Sequence, residues 1–338
     1  MPMTRQTTGQ DMQGTILEIS RMSTEDGPGL RTTVFFKGCS LNCSWCHNPE
    51  SISPKPQIQW LGASCIGCGI CVKTCPEKVL EKTDQGMVIN RTLCNGCGLC
   101  TEECPATAME LLGKKWNVHD LAKELVKDRA YFEPSGGGIT LSGGEAALQS
   151  DFCLALLRQL KAQGIQTALD TCGQVSQSTL ESLLPAVDIL LYDIKEIDSA
   201  KHKLFTGTGN EKILANVIFA SDYKKTHLTP KTFWIRTPVI PGATDTAENI
   251  GGIGDFIRKN LQGTVSRWEL CSFNNLCRDK YKRLGIDWPY ADKDLMQKAV
   301  MEELVRIARG TVTPSIVYWS GSVKTPTESE RSDVAGAQ

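Results

Sequence analysis

Three cysteines in one short loop have the spacing of a metal centre. Cys39, Cys43 and Cys46 follow the pattern C-x3-C-x2-C, directly after an apolar, strand-like run over residues 33–36. Thiolates this close in sequence converge on one centre, and a [4Fe–4S] cluster is normally held by four cysteines. The next cysteine is Cys65, so the loop supplies only three. We therefore expect a cluster with one iron open to a ligand from outside the protein.

A second set of cysteines forms an internal repeat. The pattern C-x2-C-x2-C-x3-C-P begins at Cys65 and again at Cys94. In bacterial ferredoxins with this pattern, the fourth cysteine of each repeat ligates the cluster of the other repeat. The sequence thus predicts one [4Fe–4S] cluster on Cys65, Cys68, Cys71 and Cys104, and a second on Cys94, Cys97, Cys100 and Cys75. Zinc sites or idle thiols are the alternative, which the repeated spacing disfavours.

The cysteine content also indicates the compartment. Eleven of the fifteen cysteines lie between Cys39 and Cys104. A secreted protein would use such cysteines for disulfides, but the polar N-terminus has no export signal, and C-x2-C groups favour metal ligation. The longest apolar runs have the length of strands, as at residues 187–191. The protein is therefore expected to be cytoplasmic and not to enter a membrane.

The overall charge gives no reason to expect a polyanionic partner. The chain has 37 Lys and Arg residues against 38 Asp and Glu residues. With a net charge close to zero, no overall field favours nucleic acid or an anionic membrane surface. Its 338 residues, 41% of them hydrophobic, suffice for one large α/β domain with an insert.

Helical and strand-like patterns alternate along the chain outside residues 51–112. Strands are predicted near residues 14–19, 31–36, 138–141, 166–169, 187–194, 233–239 and 265–270, and helical patterns near 118–126, 148–160, 176–184, 213–220, 247–260 and 295–307. Such alternation indicates βαβ units, which form a parallel sheet with helices outside.

Polar motifs follow several of these predicted strands. They are Ser142-Gly-Gly-Glu145, Asp170-Thr-Cys-Gly173, Asp193-Ile-Lys195, and Arg236 within the strand that begins near residue 233. In parallel α/β folds, ligands sit at the carboxyl ends of strands. The motifs therefore predict one pocket beside the three-cysteine loop. The four histidines share no spacing that would indicate a further site, and Cys153, Cys172, Cys271 and Cys277 are interpreted as buried structural thiols.

These motifs, in this order, resemble the radical S-adenosylmethionine superfamily, in which Trp45 matches an aromatic residue before the last cysteine of the loop. Within the superfamily, the strand-end motifs, the double cysteine repeat and the stretch Asp26-Gly-Pro-Gly-Leu-Arg31 are similar to the glycyl radical enzyme activating enzymes, such as that of pyruvate formate-lyase. The similarity covers roughly residues 14–310.

The resemblance implies a fold and a domain organisation. The fold would be α/β, a partial (β/α)6 TIM-like barrel of the radical S-adenosylmethionine type with an inserted ferredoxin-like α+β domain. The barrel would span residues 14–50 and 113–312, and the insert residues 51–112. Residues 1–13 are expected to be a flexible lead-in, and residues 320–338 a flexible tail.

The resemblance also implies an activity. The protein would be an oxidoreductase that cleaves S-adenosylmethionine reductively to methionine and a 5′-deoxyadenosyl radical. The radical would take a Cα hydrogen from one glycine of a separate partner, a glycyl radical enzyme. One alternative is a radical S-adenosylmethionine enzyme with auxiliary clusters that acts directly on a small molecule or peptide. Another is an electron carrier related to ferredoxin, although a bare carrier would not need so large an α/β domain.

Family motifs suggest how S-adenosylmethionine would bind. Gly143, Gly144 and Glu145 would meet the methionine amino group. The methionine and ribose side would be lined by Asp170, Thr171 and Asp193. Lys195 and Arg236 are the candidates for the methionine carboxylate. Trp45 is either close to the adenine or simply a packed aromatic beside the cluster.

Two further expectations concern the same pocket. Some family members hold a monovalent cation near the equivalents of Asp170, Thr171 and Asp193, so a cation is a candidate cofactor here. Many members carry a histidine after the last barrel strand, where this chain has Asn274. An amide can hydrogen-bond a ribose but does not titrate near neutral pH.

Partners follow from the same resemblance. With the loop cluster and two auxiliary clusters, the protein would hold three [4Fe–4S] clusters. The insert is expected to relay electrons from a flavodoxin or ferredoxin to the loop cluster. The substrate partner would be a glycyl radical enzyme, and the protein is expected to be a monomer that binds neither nucleic acid nor membrane.

Overall fold

A computed structural model of the chain describes residues 12–325. The predicted lead-in at 1–13 and tail at 320–338 therefore fall mostly outside the described residues. Two units are distinguished within the described part. The first comprises residues 12–40, 48–167 and 279–287, and the second comprises residues 41–47, 168–278 and 288–325.

The first unit contains four strands of the main sheet and two small sheets of two strands each. Its elements are β1 Gln13–Ser23, β2 Arg31–Phe36, β3 Gln57–Trp60, α1 Ile70–Thr74, β4 Leu80–Thr83, β5 Gly86–Ile89, α2 Leu99–Glu102, β6 Met109–Leu112, β7 Lys114–Asn117, α3 Val118–Leu125, α4 Arg129–Ser135, β8 Gly138–Gly143 and α5 Ser150–Ala162. β2 pairs in parallel with β8 and antiparallel with β1, which pairs antiparallel with β7.

Residues 57–112 form a separate α+β segment of the first unit. β3 pairs antiparallel with β6, and β4 pairs antiparallel with β5. The short helices α1 and α2 lie in the two cysteine repeats. Ile58, Leu80 and Met109 form its apolar core together with two of the cysteines. This segment corresponds to the predicted insert, and its ferredoxin-like character stays a prediction.

The second unit is a parallel α/β layer. The remaining elements of the chain, in order, are β9 Thr167–Thr171, α6 Gln177–Leu183, β10 Ile189–Asp193, α7 Ser199–Thr206, α8 Glu211–Thr226, β11 Thr232–Val239, α9 Ala247–Asn260, β12 Arg267–Ser272, α10 Arg278–Leu284, α11 Lys298–Thr311 and β13 Val317–Ser320. All belong to the second unit except the first residue of β9 and most of α10, which belong to the first unit. Strands β9 to β13 pair in sequence order, each parallel to the next. The predicted α/β fold with parallel strands is confirmed.

Arg31 fixes the turn that precedes β2. Its side chain is fully buried and donates to the Thr140 hydroxyl at 2.7 Å, the Gln166 side chain at 2.8 Å and the Ile139 carbonyl at 3.0 Å. The Asp26 carboxylate accepts from the Thr33 hydroxyl at 2.7 Å. Since a strand begins at Arg31 and ends at Phe36, the Asp26–Arg31 stretch lies at the opposite end of β2 from the cysteine loop.

Candidate functional site

The start of the three-cysteine loop is held by the first unit. After β2, Gly38 N–H donates to the Ser51 carbonyl at 2.7 Å and Cys39 N–H to the Ile52 carbonyl at 3.1 Å. Lys37 is buried, and its ammonium donates to the Glu50 carbonyl at 2.5 Å. Burial lowers the pKa of Lys37 to about 8, against the opposing effect of the Glu50 carboxylate. The backbone of Cys39 is thus fixed by neighbours on both sides.

The Gly-Gly-Glu motif at the end of β8 packs directly on this part of the loop. Gly144 N–H donates to the Phe36 carbonyl at 3.0 Å and Glu145 N–H to the Gly38 carbonyl at 2.8 Å. A Cβ at Gly143 would lie 2.1 Å from the Phe36 nitrogen, and one at Gly144 would lie 2.3 Å from the Gly38 oxygen. Only glycine fits at either position. The close approach predicted for a ligand is therefore made, in the described structure, to the chain's own backbone.

The rest of the loop belongs to the second unit, where it is hydrogen-bonded both to helix α7 and to residues 277 and 288. Asn42 and Ser44 donate their backbone N–H groups to carbonyls at the end of α7, both at 2.9 Å. The Ser44 carbonyl accepts from the Trp288 indole at 3.0 Å, and the Cys46 carbonyl accepts from the Cys277 thiol at 3.8 Å. The role of Cys277 is thus structural, as its interpretation from sequence predicted.

Trp45 packs inside the second unit. Its ring is 5% exposed and its centroid lies 5.8 Å from that of Phe205. A group of rings composed of His47, Phe273, Trp288 and Tyr290 has centroid separations of 5.8 to 6.3 Å. These aromatic contacts give the loop an apolar, rigid base.

Charged residues on β9 to β12, together with Lys195 just after β10, form a paired cluster in the second unit. In register, Asp193 on β10 is opposite Arg236 on β11, and Arg236 is opposite Glu269 on β12. Lys195 Nζ lies 2.5 Å from Asp193 Oδ2. Arg236 lies 3.5 Å from Glu269 and 3.6 Å from Asp170. Three of the predicted binding motifs are therefore brought together here.

Neighbouring charges control protonation in this cluster. Burial alone would lower the pKa of Lys195, but Asp193 and the Cys43 thiol hold it well above its usual value. For Arg236, the Cys271, Asp170 and Asp193 side chains likewise outweigh burial and raise the pKa. Burial raises the pKa of Cys43 to about 12, although Lys195 acts in the opposite direction. The Lys195 ammonium thus favours the thiolate form of Cys43, but burial outweighs this effect and the pKa stays raised.

Asn274 lies in the loop after β12. Its side-chain oxygen accepts from the Leu276 N–H at 3.2 Å, and the residue is partly exposed. Thr171, at the end of β9, is buried and its hydroxyl accepts from the Gly173 N–H at 2.9 Å. Each side chain thus shapes its own loop, and the predicted contacts to a nucleoside stay predictions.

The repeat cysteines of the first unit line two separate cavities. Cys65, Cys68, Cys71 and Cys104 line one, and Cys75, Cys94, Cys97 and Cys100 line the other. Each cavity thus combines three cysteines of one repeat with the fourth of the other. Burial and, to a smaller extent, the neighbouring cysteines raise the pKa of Cys100 to about 11. Ala108 N–H donates to the Cys104 sulfur at 3.2 Å.

These donor sets suit clusters better than single ions. Within residues 12–325, no group of three His, Cys, Asp or Glu side chains is close enough to hold one metal ion. A cubane cluster gives each cysteine its own iron at a separate corner, so its ligands do not meet at one point. All fifteen cysteines lie in this range and none forms a disulfide. The chemistry of the sets therefore fits iron–sulfur clusters, whose presence stays a prediction.

Several residues of the site are not evident from sequence alone. Trp60 packs at the first insert cavity, where the Trp60 indole N–H and the Gly67 N–H hold the pKa of Cys65 below its usual value. Glu269 is 4% exposed and lies between Trp268 and Leu270 in strand β12. A lone carboxylate in a buried strand is a usable sequence signal for such a residue. Trp288 has no comparable signal, because its contact with the loop spans 244 positions of sequence.

The chain is similar to known proteins over most of its length. A family model described as a 4Fe-4S single cluster domain matches residues 25–214. The (2S)-3-sulfopropanediol dehydratase activating enzyme of Klebsiella oxytoca is 38% identical over 85% of this chain and 89% of the relative. The trans-4-hydroxy-L-proline dehydratase activating enzyme of Clostridioides difficile is 37% identical over 88% of this chain and 96% of the relative.

A solved structure shares the fold at low sequence identity. A radical SAM methyltransferase from Sphaerobacter thermophilus superposes with a TM-score of 0.50 and 12% identity, over 91% of this chain and 78% of that one. Separately, none of the helices within residues 12–325 has both the length and the apolar character of a membrane span.

Proposed function

The chain belongs to the glycyl radical enzyme activating enzymes of the radical S-adenosylmethionine superfamily, and on that premise we propose which of its residues carry out the reaction. The protein cleaves S-adenosylmethionine reductively to methionine and a 5′-deoxyadenosyl radical, which takes a Cα hydrogen from a specific glycine of a partner glycyl radical enzyme. The sequence prediction of an activase is confirmed by these relatives.

The observation that carries the site assignment is the fixed backbone around the three-cysteine loop. Cys39, Cys43 and Cys46 hold the [4Fe–4S] cluster, which supplies one electron to S-adenosylmethionine when bound. Their backbone neighbours are hydrogen-bonded at Gly38, Asn42 and Ser44. A loop that is already in place loses little entropy on binding a cluster, and holding both reactants in place lowers the barrier further.

The charged cluster on β9 to β12 binds the methionine part of S-adenosylmethionine. Lys195 and Arg236 bind the methionine carboxylate, because both are cationic and only 12% and 17% of their side chains is exposed. Gly143, Gly144 and Glu145 bind the amino group. Trp45 and Asn274 contact the nucleoside part of S-adenosylmethionine. Thr171, at the end of β9, lines the methionine and ribose side of the pocket.

A monovalent cation is assigned to Asp170, Thr171 and Asp193. Their two carboxylates and one hydroxyl are the hard oxygen donors that such a cation takes. Lys195 already neutralises Asp193, and Arg236 lies near Asp170. The negative charge of the two carboxylates is thus already partly neutralised without the cation. Removal of the cation is therefore expected to lower the affinity for S-adenosylmethionine only modestly.

Residues 51–112 form a ferredoxin-like insert with two auxiliary [4Fe–4S] clusters, and residues 14–50 and 113–312 form the partial barrel. The two cysteine-lined cavities support the assignment of Cys65, Cys68, Cys71 and Cys104 to one cluster. They equally support that of Cys75, Cys94, Cys97 and Cys100 to the other. The insert passes electrons from a flavodoxin or ferredoxin.

The partner is a glycyl radical enzyme whose substrate the activase does not contact. The relatives activate a sulfopropanediol dehydratase and a hydroxyproline dehydratase, so a dehydratase that acts on a hydroxylated small molecule is the first partner to test. The protein works as a monomer in the cytoplasm.

The proposed function is tested by anaerobic activation of a partner. Reduced protein, S-adenosylmethionine and a glycyl radical enzyme encoded beside this gene should yield a glycine-centred doublet in the electron paramagnetic resonance spectrum. Cys43→Ala should abolish both the doublet and 5′-deoxyadenosine formation, whereas Cys153→Ala, which removes a buried thiol on helix α5, should retain both. Cleavage retained by Cys43→Ala would refute the cluster assignment.

A further inference from the structure

The last turn of helix α7 supports the cysteine loop through two backbone carbonyls. Asn42 N–H donates to the Thr206 carbonyl, and Ser44 N–H donates to the Phe205 carbonyl, both at 2.9 Å. Carbonyls in the last turn of a helix have no acceptor role within the helix, so the loop satisfies both groups. Together the two bonds hold the backbone on either side of Cys43.

His202 fixes the shape of this turn. Its Nδ1 lies 2.6 Å from the Thr208 carbonyl oxygen, and because a carbonyl can only accept, Nδ1 carries the proton. The Thr206 hydroxyl lies 3.0 Å from the same nitrogen and donates to the His202 carbonyl at 2.8 Å. The ring therefore ties Thr208, beyond the helix, to Thr206, whose carbonyl holds the loop.

The histidine is buried and neutral in this position. It is 1% exposed. Burial lowers its pKa, and the Lys195 ammonium lowers it further, while the Thr208 bond and Glu211 act in the opposite direction. Within residues 12–325, Nε2 has no hydrogen-bond partner. The ring is thus bonded through Nδ1 alone, and that bond is the feature for which a histidine is needed.

We propose that His202 is a positioning residue for the cluster-binding loop, because its Nδ1–H bond to Thr208 holds the end of α7 in the shape that orients Cys43. The inference rests on the proposed function, in which Cys43 is a cluster ligand. His202 acts through the helix end and the loop backbone. Its removal leaves every cysteine present and changes how firmly one of them is held.

Three substitutions separate the Nδ1 bond from the bulk of the ring. His202→Asn keeps an N–H donor close to the place of Nδ1, His202→Gln moves the donor toward that of Nε2, and His202→Phe keeps the bulk without a donor. Lys203→Ala is the matched control, since it lies on the same helix with an exposed side chain. All are made in the full chain with its clusters reconstituted.

Two measurements report on the loop besides turnover. One is the rate at which a chelator removes iron, and the other is the change in the electron paramagnetic resonance spectrum of the reduced protein when S-adenosylmethionine is added. We expect His202→Phe and His202→Gln to release about four irons roughly ten-fold faster and to lose the spectral change. His202→Asn and Lys203→Ala should match the wild type.

Two results would overturn the inference: His202→Phe behaving like the wild type, or His202→Asn being as impaired as His202→Phe. If His202→Phe does not fold, Thr206→Val, which removes one hydroxyl and keeps the shape, carries the test. It should accelerate iron release in the same direction, and release at the wild-type rate would equally overturn the role. Wild-type protein that binds its iron but cleaves no S-adenosylmethionine would contradict the proposed function instead.

Discussion

Lys195 Nζ and Asp193 Oδ2 are joined by a 2.5 Å ion pair at the end of strand β10. The lysine also lies close enough to Cys43 for each to affect the pKa of the other. One ammonium thus lies between the Cys43 thiol and the Asp193 carboxylate. If Cys43 ligates the cluster and Lys195 binds the S-adenosylmethionine carboxylate, as proposed, the same lysine couples substrate binding to the cluster.

Lys195→Met should therefore weaken S-adenosylmethionine binding. The substitution keeps much of the side-chain length and leaves Asp193 without its ion-pair partner, which costs about 1 to 3 kcal/mol for a largely buried group. We expect the KM for S-adenosylmethionine, measured by 5′-deoxyadenosine formation, to rise about ten-fold or more. Lys201→Met, at an exposed position on α7, is the control. Equal KM values for the two variants would contradict a role for Lys195 in binding.

Gly144→Ala should disturb the loop through its backbone. The added Cβ would lie 2.3 Å from the Gly38 oxygen, a backbone atom that cannot rotate away as a side chain could. We expect lower iron content and weaker S-adenosylmethionine binding, measured by iron analysis and by titration. Gly310→Ala is the control, because its Cβ meets nothing within 4 Å in helix α11, where alanine is favoured. An unchanged iron content in Gly144→Ala would show that the β8 motif does not support the loop.

Sequence alone predicts most where the pattern is local. Asp193 and Lys195 come at and just after the end of one apolar strand, where the structure joins them in an ion pair. The cluster role of Cys39, Cys43 and Cys46 stays a prediction from their spacing. The parallel α/β fold followed from alternation of helical and strand patterns.

The missed features depend on contacts between distant or weakly patterned segments. Helix α7 has the sequence SAKHKLFT, with few apolar residues to reveal its period, although Asp198 caps it by accepting from the Lys201 N–H. Trp288 reaches Ser44 only through the fold. The glycines at 143 and 144 were interpreted as making room for a ligand, and they also make room for the chain's own β2 loop.

The crossed assignment of the insert cysteines predicts non-additive losses of iron. The wild type should hold about twelve irons, and Cys68→Ala and Cys104→Ala should each lose about four of them. The double variant should lose no more iron than either single variant, because both changes affect the same cluster. Cys68→Ala combined with Cys75→Ala should remove about eight. The measurement is iron per chain after anaerobic reconstitution, with the loop cluster monitored by its response to S-adenosylmethionine. Additive losses for Cys68 and Cys104 would mean that the repeats do not exchange their fourth ligand.

Glu269 is expected to set the orientation of Arg236. Its carboxylate accepts from Arg267 at 2.7 Å and lies 3.5 Å from Arg236, while the Arg267 guanidinium lies between the rings of Trp234 and Tyr318 at 4.5 and 4.6 Å.

Glu269→Gln keeps the shape of this side chain and removes its charge, so Arg236 should turn toward Asp170 and Asp193, the carboxylates that still act on it. We expect the KM for S-adenosylmethionine to rise several-fold with a smaller change in kcat, since the change affects binding before chemistry. Glu248→Gln, at an exposed position on α9, should change neither. A fall in kcat at unchanged KM would instead place Arg236 away from the methionine carboxylate and leave Lys195 as its partner.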